Sequence, residues 1–159
     1  MKELNINIPV TMKQEDELTE QERALLVEAK AATFRSYAPY SNFSVGAAAL
    51  LEDGTIVSGS NQENSAYPSG ICAERTTIFY ANSKYPEQKV MMLCVVARDT
   101  KGQFTERPIA PCGACRQVLV ETETRYNQKM QIMLYGTEGI YFIGSAKDLL
   151  PVSFDSSFL

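Results

Sequence analysis

Four residues of this chain have types and spacing that can do chemistry: Cys72 and Glu74 in "ICAER", and Cys112 and Cys115 in "APCGACRQ". The chain contains no histidine. That removes Ser-His and Cys-His nucleophile mechanisms and every imidazole metal site. Acid–base work near neutral pH is left to Glu, Asp, Lys, Tyr or Cys with a displaced pKa. Taken alone, the Cys-x-x-Cys pair is ambiguous, fitting half a zinc site, a redox pair, a disulfide or a buried turn. A redox pair leaves Cys72 unexplained. The fourth cysteine, Cys94, stands in the apolar run "MMLCVVA" and reads as a small core hydrophobe. A closed structural zinc site needs four protein ligands, so three cysteines without a reachable fourth describe an open one, with a position left for water. Glu74 supplies a base beside such a site if Cys72 sits at the cap or in the first turn of a helix. Its plainer reading is a solvated first-turn acid favoured by the helix dipole.

Those residues need elements that bring them together. Thr19 and Glu22 have the spacing of a capping box and open a predicted helix to about 36, with Leu25, Leu26, Ala29, Ala32 and Thr33 on one face. "SVGAAALL" and "TIVSG" flank "EDG" as a hairpin. An Asn-, Ser- and Gly-rich loop fills 60–71. A helix over about 72–83, a buried strand at 91–97, a helix over about 112–126, strands near 131–135 and 140–144 and a short "SAKDLL" helix follow. The pattern is α/β, a mixed sheet with helices on both faces. Residues 1–159 read as one domain, with 1–18 as an N-terminal arm in which Leu4, Ile6, Ile8 and Val10 alternate like a short strand or a segment packed on a neighbour. Cys72 and the Cys112/Cys115 pair both fall where an irregular segment becomes a helix. Helix N-termini stabilise thiolates, the form that binds metal.

Composition narrows the partners. Apolar residues make up 45% of the 159-residue chain and charged residues 21%, with a net charge of −4. No Lys/Arg cluster offers a face to phosphates, so nucleic acid is not an expected partner. No run approaches a membrane span, and "MKELNINIPVTMKQEDELTE" has no apolar h-region. A cytoplasmic location, with thiols reduced, and a small-molecule partner are expected.

At this point the sequence resembles the zinc-dependent cytidine deaminases, in particular their small homotetrameric all-cysteine type. The likeness runs over about 37–154 and rests on "YSNFSVGAA", "NQENSAYPSGICAERT", "APCGACRQVL" and "DLLPVSF" in that order. The family pattern is His- or Cys-x-Glu followed by Pro-Cys-x-x-Cys, the Glu not being a zinc ligand. The resemblance implies a three-layer α/β/α fold with a five-stranded mixed sheet. It implies one Zn²⁺ per subunit held by Cys72, Cys112 and Cys115, with Glu74 as the catalytic proton shuttle. Asn61 and Glu63 match residues that hold ribose hydroxyls, and Phe43 matches an aromatic lining the pocket. The backbones of Ser65 and Cys112 match groups that fix the pyrimidine or the attacking water. Tyr67 and Phe154 match residues that complete a neighbouring subunit's site, and Arg75 one that hydrogen-bonds a zinc-bound thiolate.

The implied function is hydrolytic deamination of cytidine and 2′-deoxycytidine to the uridines, with release of ammonia, in pyrimidine salvage. An alternative is the related blasticidin-type deamination of aminonucleoside antibiotics. Readings of other classes are a zinc-stabilised binding module without catalysis and a thiol redox protein using Cys112 and Cys115. Glu63 bears on the substrate, because a carboxylate accepts from a neutral hydroxyl but repels a phosphate, which disfavours nucleotides and polynucleotides. Its plainer reading is a surface loop acid, that of Asn61 a turn former, and that of Arg75 a solvent-facing helix residue.

Overall fold

The structure, a computed structural model, describes all 159 residues. Six strands form one sheet: β1 (Val10–Lys13), β2 (Ser44–Leu51), β3 (Ile56–Ser60), β4 (Val90–Arg98), β5 (Gln131–Gly136) and β6 (Gly139–Ile143). Their spatial order is β1-β6-β5-β4-β2-β3. Only β4 and β5 run parallel, and their crossover carries helix α3 (Gly113–Tyr126). Helix α2 (Ala73–Lys84) lies between β3 and β4 in sequence, and helix α1 (Glu20–Ala32) precedes β2.

The strands sort their side chains by the two-residue period of a pleated sheet. Ala47, Ala49, Leu93, Val95, Ile132 and Leu134 point to one face and pack with Ala73, Ile78 and Ala81 of α2 and Leu119 of α3. Ala48, Cys94, Val96, Met133 and Phe142 point to the other face and pack with Leu25, Leu26 and Ala29 of α1. The result is the expected α/β/α layering. The small residues of β2 let helices press close from both sides. At Gly46, an added Cβ would strike the backbone of Ala29 and lie 2.6 Å from the amide nitrogen of Thr33.

Helix α1 starts as its sequence predicts. The Thr19 hydroxyl accepts from Glu22 N at 3.2 Å, and Glu22 Oε2 accepts from Thr19 N at 2.8 Å. The helix ends at Ala32 rather than 36, and a 3₁₀ turn at Thr33–Arg35 continues the path.

The expected five-stranded sheet is corrected to six. The additional strand comes from the N-terminal arm, which pairs antiparallel with β6, Met12 opposite Tyr141. The alternating residues Leu4 and Ile6 lie outside it and are exposed. Pairing falls at Val10–Lys13 because the anchors are there: Lys13 Nζ lies 2.9 Å from Glu22 Oε1 and 4.3 Å from the Phe142 ring centroid. Met12 lies against Gly139, where a Cβ would come within 2.8 Å of its sulfur. Neither contact is visible in a local window of sequence.

Candidate active site

Cys72 is the N-cap of α2 and Cys112 the N-cap of α3, both with extended backbone and neither capped by a side chain. Cys115 sits in the first turn of α3 and is buried. The two helix starts meet over the sheet, so the sulfur of Cys112 lies 3.8 Å from that of Cys72 and 3.5 Å from that of Cys115. All three sulfurs fall within 4.8 Å of one another. Tetrahedral zinc with Zn–S bonds of about 2.3 Å requires sulfurs about 3.8 Å apart. The donor set therefore fits zinc in both chemistry and spacing. Cys94 stands fully buried in the core under α1, on the opposite face of the sheet, as a structural thiol.

The N-cap position of Cys72 meets the condition on which the reading of Glu74 depends. Residues i and i+2 diverge within a helix, but a cap and its second helical residue do not have to. Glu74 is buried, 4% exposed. Burial pushes its carboxyl up to about 7, and the charge of Cys72 adds to the rise. The neighbouring Cys115 sulfur and the guanidinium of Arg75 pull the Cys72 thiol down to about 5. Cys115 moves the opposite way, its thiol pushed well up by the neighbouring Cys72 and by burial. Arg75 Nη2 lies 4.0 Å from Cys72 Sγ, and its buried Nε has no hydrogen-bond partner in the chain.

An open cleft of about 540 Å³ leads to Cys72, lined among others by Tyr40, Asn61, Glu63, Tyr67 and Arg75. Asn61 is held on three sides. Its Oδ1 accepts from Ser36 Oγ at 2.6 Å and Val45 N at 2.8 Å, and its Nδ2 donates to Phe43 O at 2.9 Å. Glu63 accepts from Tyr40 N at 2.9 Å, Ser41 N at 3.3 Å and the Ser41 hydroxyl. Those bonds hold its carboxyl below the usual range. Both residues brace the loop after α1 against the 60–71 segment, which beyond the end of β3 at Ser60 is irregular as expected apart from a 3₁₀ turn at Tyr67–Ser69.

Phe43, Ser65 and Phe154 do not line this cleft. Phe43 is half-buried and Ser65 exposed. Phe154 is 59% exposed and stacks on Phe158 at 5.7 Å. Tyr67 is 77% exposed and meets Tyr40 edge-on at 6.1 Å.

Two residues that position the site carry no signal in sequence. Thr77, fully buried, donates to Ala47 O at 3.2 Å and to Ala73 O at 2.8 Å, fixing α2 on β2. Glu123 at the far end of α3 accepts from Met130 N, Ser145 Oγ and Ala146 N at 2.6–2.8 Å. A buried carboxylate among backbone donors is a strong anchor, but its partners lie up to 24 positions away.

Residues 19–129 match the family described as the cytidine and deoxycytidylate deaminase zinc-binding region. A cytidine deaminase of Sporosarcina psychrophila is 45% identical over 130 residues, which is 82% of this chain and 88% of that protein. One of Halalkalibacterium halodurans is 48% identical over 97 residues, 61% of this chain and 68% of that protein. The crystal structure of cytidine deaminase from Burkholderia pseudomallei superposes with a TM-score of 0.72 at 40% identity, covering 86% of this chain and all of that one.

Proposed function

The chain belongs to the cytidine and deoxycytidylate deaminase family, and on that footing we propose that it hydrolyses the amine of cytidine and 2′-deoxycytidine, releasing ammonia and the uridines. The observation that carries this reading is the cluster of three cysteine sulfurs at two helix starts, with a buried carboxyl two residues after the first. What zinc supplies when held by Cys72, Cys112 and Cys115 is Lewis acidity, which makes water nucleophilic near neutral pH.

Glu74 moves the protons. Its carboxyl, poised near neutrality by burial, takes one proton from the attacking water and delivers it to N3 of the base, then takes the second from the hydroxyl added at C4 and delivers it to the departing amine. Arg75 withdraws charge from the Cys72 thiolate. Asn61 and Glu63 hold the ribose hydroxyls, supported by the bracing that fixes both side chains at the cleft. Phe43 and Ser65 stand outside the cleft, which leaves the backbone of Cys112 to fix the attacking water. Glu63 excludes phosphate, which favours free nucleosides and a role in pyrimidine salvage.

The active unit in this reading is a homotetramer, in which Tyr67 and Phe154 complete a neighbouring subunit's site. In support, both rings stand largely exposed on a single chain. Four free cysteines suit a reducing cytoplasm.

The test is loss of cytidine absorbance with zinc-loaded protein. Wild type turns over both nucleosides, and Glu74→Gln lowers kcat by about 10²- to 10⁴-fold with zinc retained. No turnover of either nucleoside by the zinc-loaded wild type overturns the reading.

A further inference from the structure

Arg116 follows Cys115 directly and has no part in the chemistry above. Its guanidinium spans two segments far apart in sequence. Nε donates to Pro111 O at 2.8 Å, and Nη1 donates to Leu149 O at 2.8 Å. Pro111 is buried and immediately precedes Cys112, so the first carbonyl belongs to the peptide that carries a thiolate ligand. Leu149 ends the 3₁₀ turn Ala146–Leu149, from which the chain runs on to Phe154. That terminal segment has two other anchors on α3: Glu123 accepts from Ser145 and Ala146, and Gln117 Nε2 donates to Phe154 O at 2.9 Å. Neither of those reaches the cysteine loop. Only Arg116 does.

We propose that Arg116 is a positioning residue that couples metal occupancy of the thiolate cluster to the ordering of the 146–154 segment. The proposal rests on the cluster holding zinc. With metal bound, the Pro111–Cys112 peptide is pinned at its sulfur end and presents a fixed carbonyl. Without it, that peptide is held chiefly by Arg116. The guanidinium is a rigid planar fork whose edges cannot move independently. Displacement of one carbonyl therefore loosens its hold on the other. The segment that carries Phe154 is then firmly presented by a metal-loaded subunit and loosely by an empty one. Coupling of this kind is reciprocal, so weakening the strut also loosens the metal.

The experiment compares wild type, Arg116→Gln and Arg116→Lys, with Arg125→Gln as a charge-matched control at the exposed end of α3. Lysine is a compact point donor that reaches one carbonyl and not both. Two quantities are read on the full chain. One is hydrogen exchange of the Leu150 amide, bonded to Lys147 O at 3.0 Å, in zinc-loaded and chelator-stripped protein. The other is the rate of zinc transfer to a chromogenic chelator.

Stripping zinc speeds Leu150 exchange in wild type by about tenfold, the scale of one charge-assisted hydrogen bond. In both Arg116 variants that dependence on zinc disappears, and zinc is surrendered about tenfold faster. Arg125→Gln behaves as wild type. The proposal is overturned if stripping wild type leaves Leu150 unchanged, or if either variant keeps the full zinc dependence. Should Arg116→Gln fail to fold, the wild-type comparison and the lysine variant decide. Cytidine turnover by the wild-type sample is read alongside, so a chain that shows the coupling without turnover fails only as a deaminase.

Discussion

Glu22 shows how one carboxylate can do local and long-range work together. It accepts from Thr19 N to close the helix cap and from Lys13 Nζ to hold strand β1. Burial disfavours its ionised form, but the Lys13 ammonium and the Thr19 amide outweigh that and hold its carboxyl below the usual range. The native state therefore favours the ionised form more than the unfolded chain does. That contribution is complete above the ordinary value of 4.5 and is lost as pH falls through the lower native value. Glu22→Gln is expected to cost about 1–2 kcal/mol at pH 7, less as the medium is acidified below about pH 4.5. Urea denaturation at neutral and acid pH checks this, and a cost that stays constant with pH would refute the pairing. The cap half of this role was readable from Thr19 and Glu22 three positions apart. The Lys13 half was not, because nothing local says which turn of the chain brings Lys13 back.

At the scale of elements, the contact between α1 and β2 has the least tolerance. Gly46 faces the helix backbone, and atoms of Ala29, Ala32 and Thr33 occupy the place of a Cβ. Backbone cannot rotate aside as a side chain can, so Gly46→Ala is expected to destabilise by about 3 kcal/mol. A thermal melt reads it, and a shift near zero would mean that the helix rides higher on the sheet than described. The helices and the strands β2 to β6 were legible because each has a local cause: a capping box, a hairpin turn, a run of β-branched residues. Strand β1 was not. Its residues are mostly exposed, and what sets its register lies across the sheet at Phe142 and Gly139. Thr77, Arg116 and Glu123 escaped notice for the same reason, since each has a partner 22 to 33 positions away.

For the whole molecule, the shared-site reading makes a claim that no single chain can satisfy. If Phe154 serves a neighbour's cleft and Glu74 its own, then Glu74→Gln and Phe154→Ala fail in different subunits of one assembly. Each variant alone is expected to be nearly inactive, whereas subunits mixed by co-refolding recover turnover in sites that pair an intact Glu74 with an intact Phe154. Full activity of Phe154→Ala by itself would remove the sharing. The metal cluster was legible at this scale because its three ligands come in two short motifs, even though they stand forty positions apart in the chain.

One feature reaches further. Helices α2 and α3 both begin at a cysteine that provides no side-chain cap, so two ligands of the site are also the first residues of two structural elements. The free amides of both opening turns then look to thiolate charge, rather than to a Ser or Asp, for their electrostatic partner. Drift at a ligand is for that reason also drift at a helix boundary, and selection cannot act on the one while sparing the other. Three cysteines copied onto another scaffold would reproduce the donor atoms without the paired helix starts that give them their charge, and the transplant that preserves the site is the whole α2–β4–α3 unit.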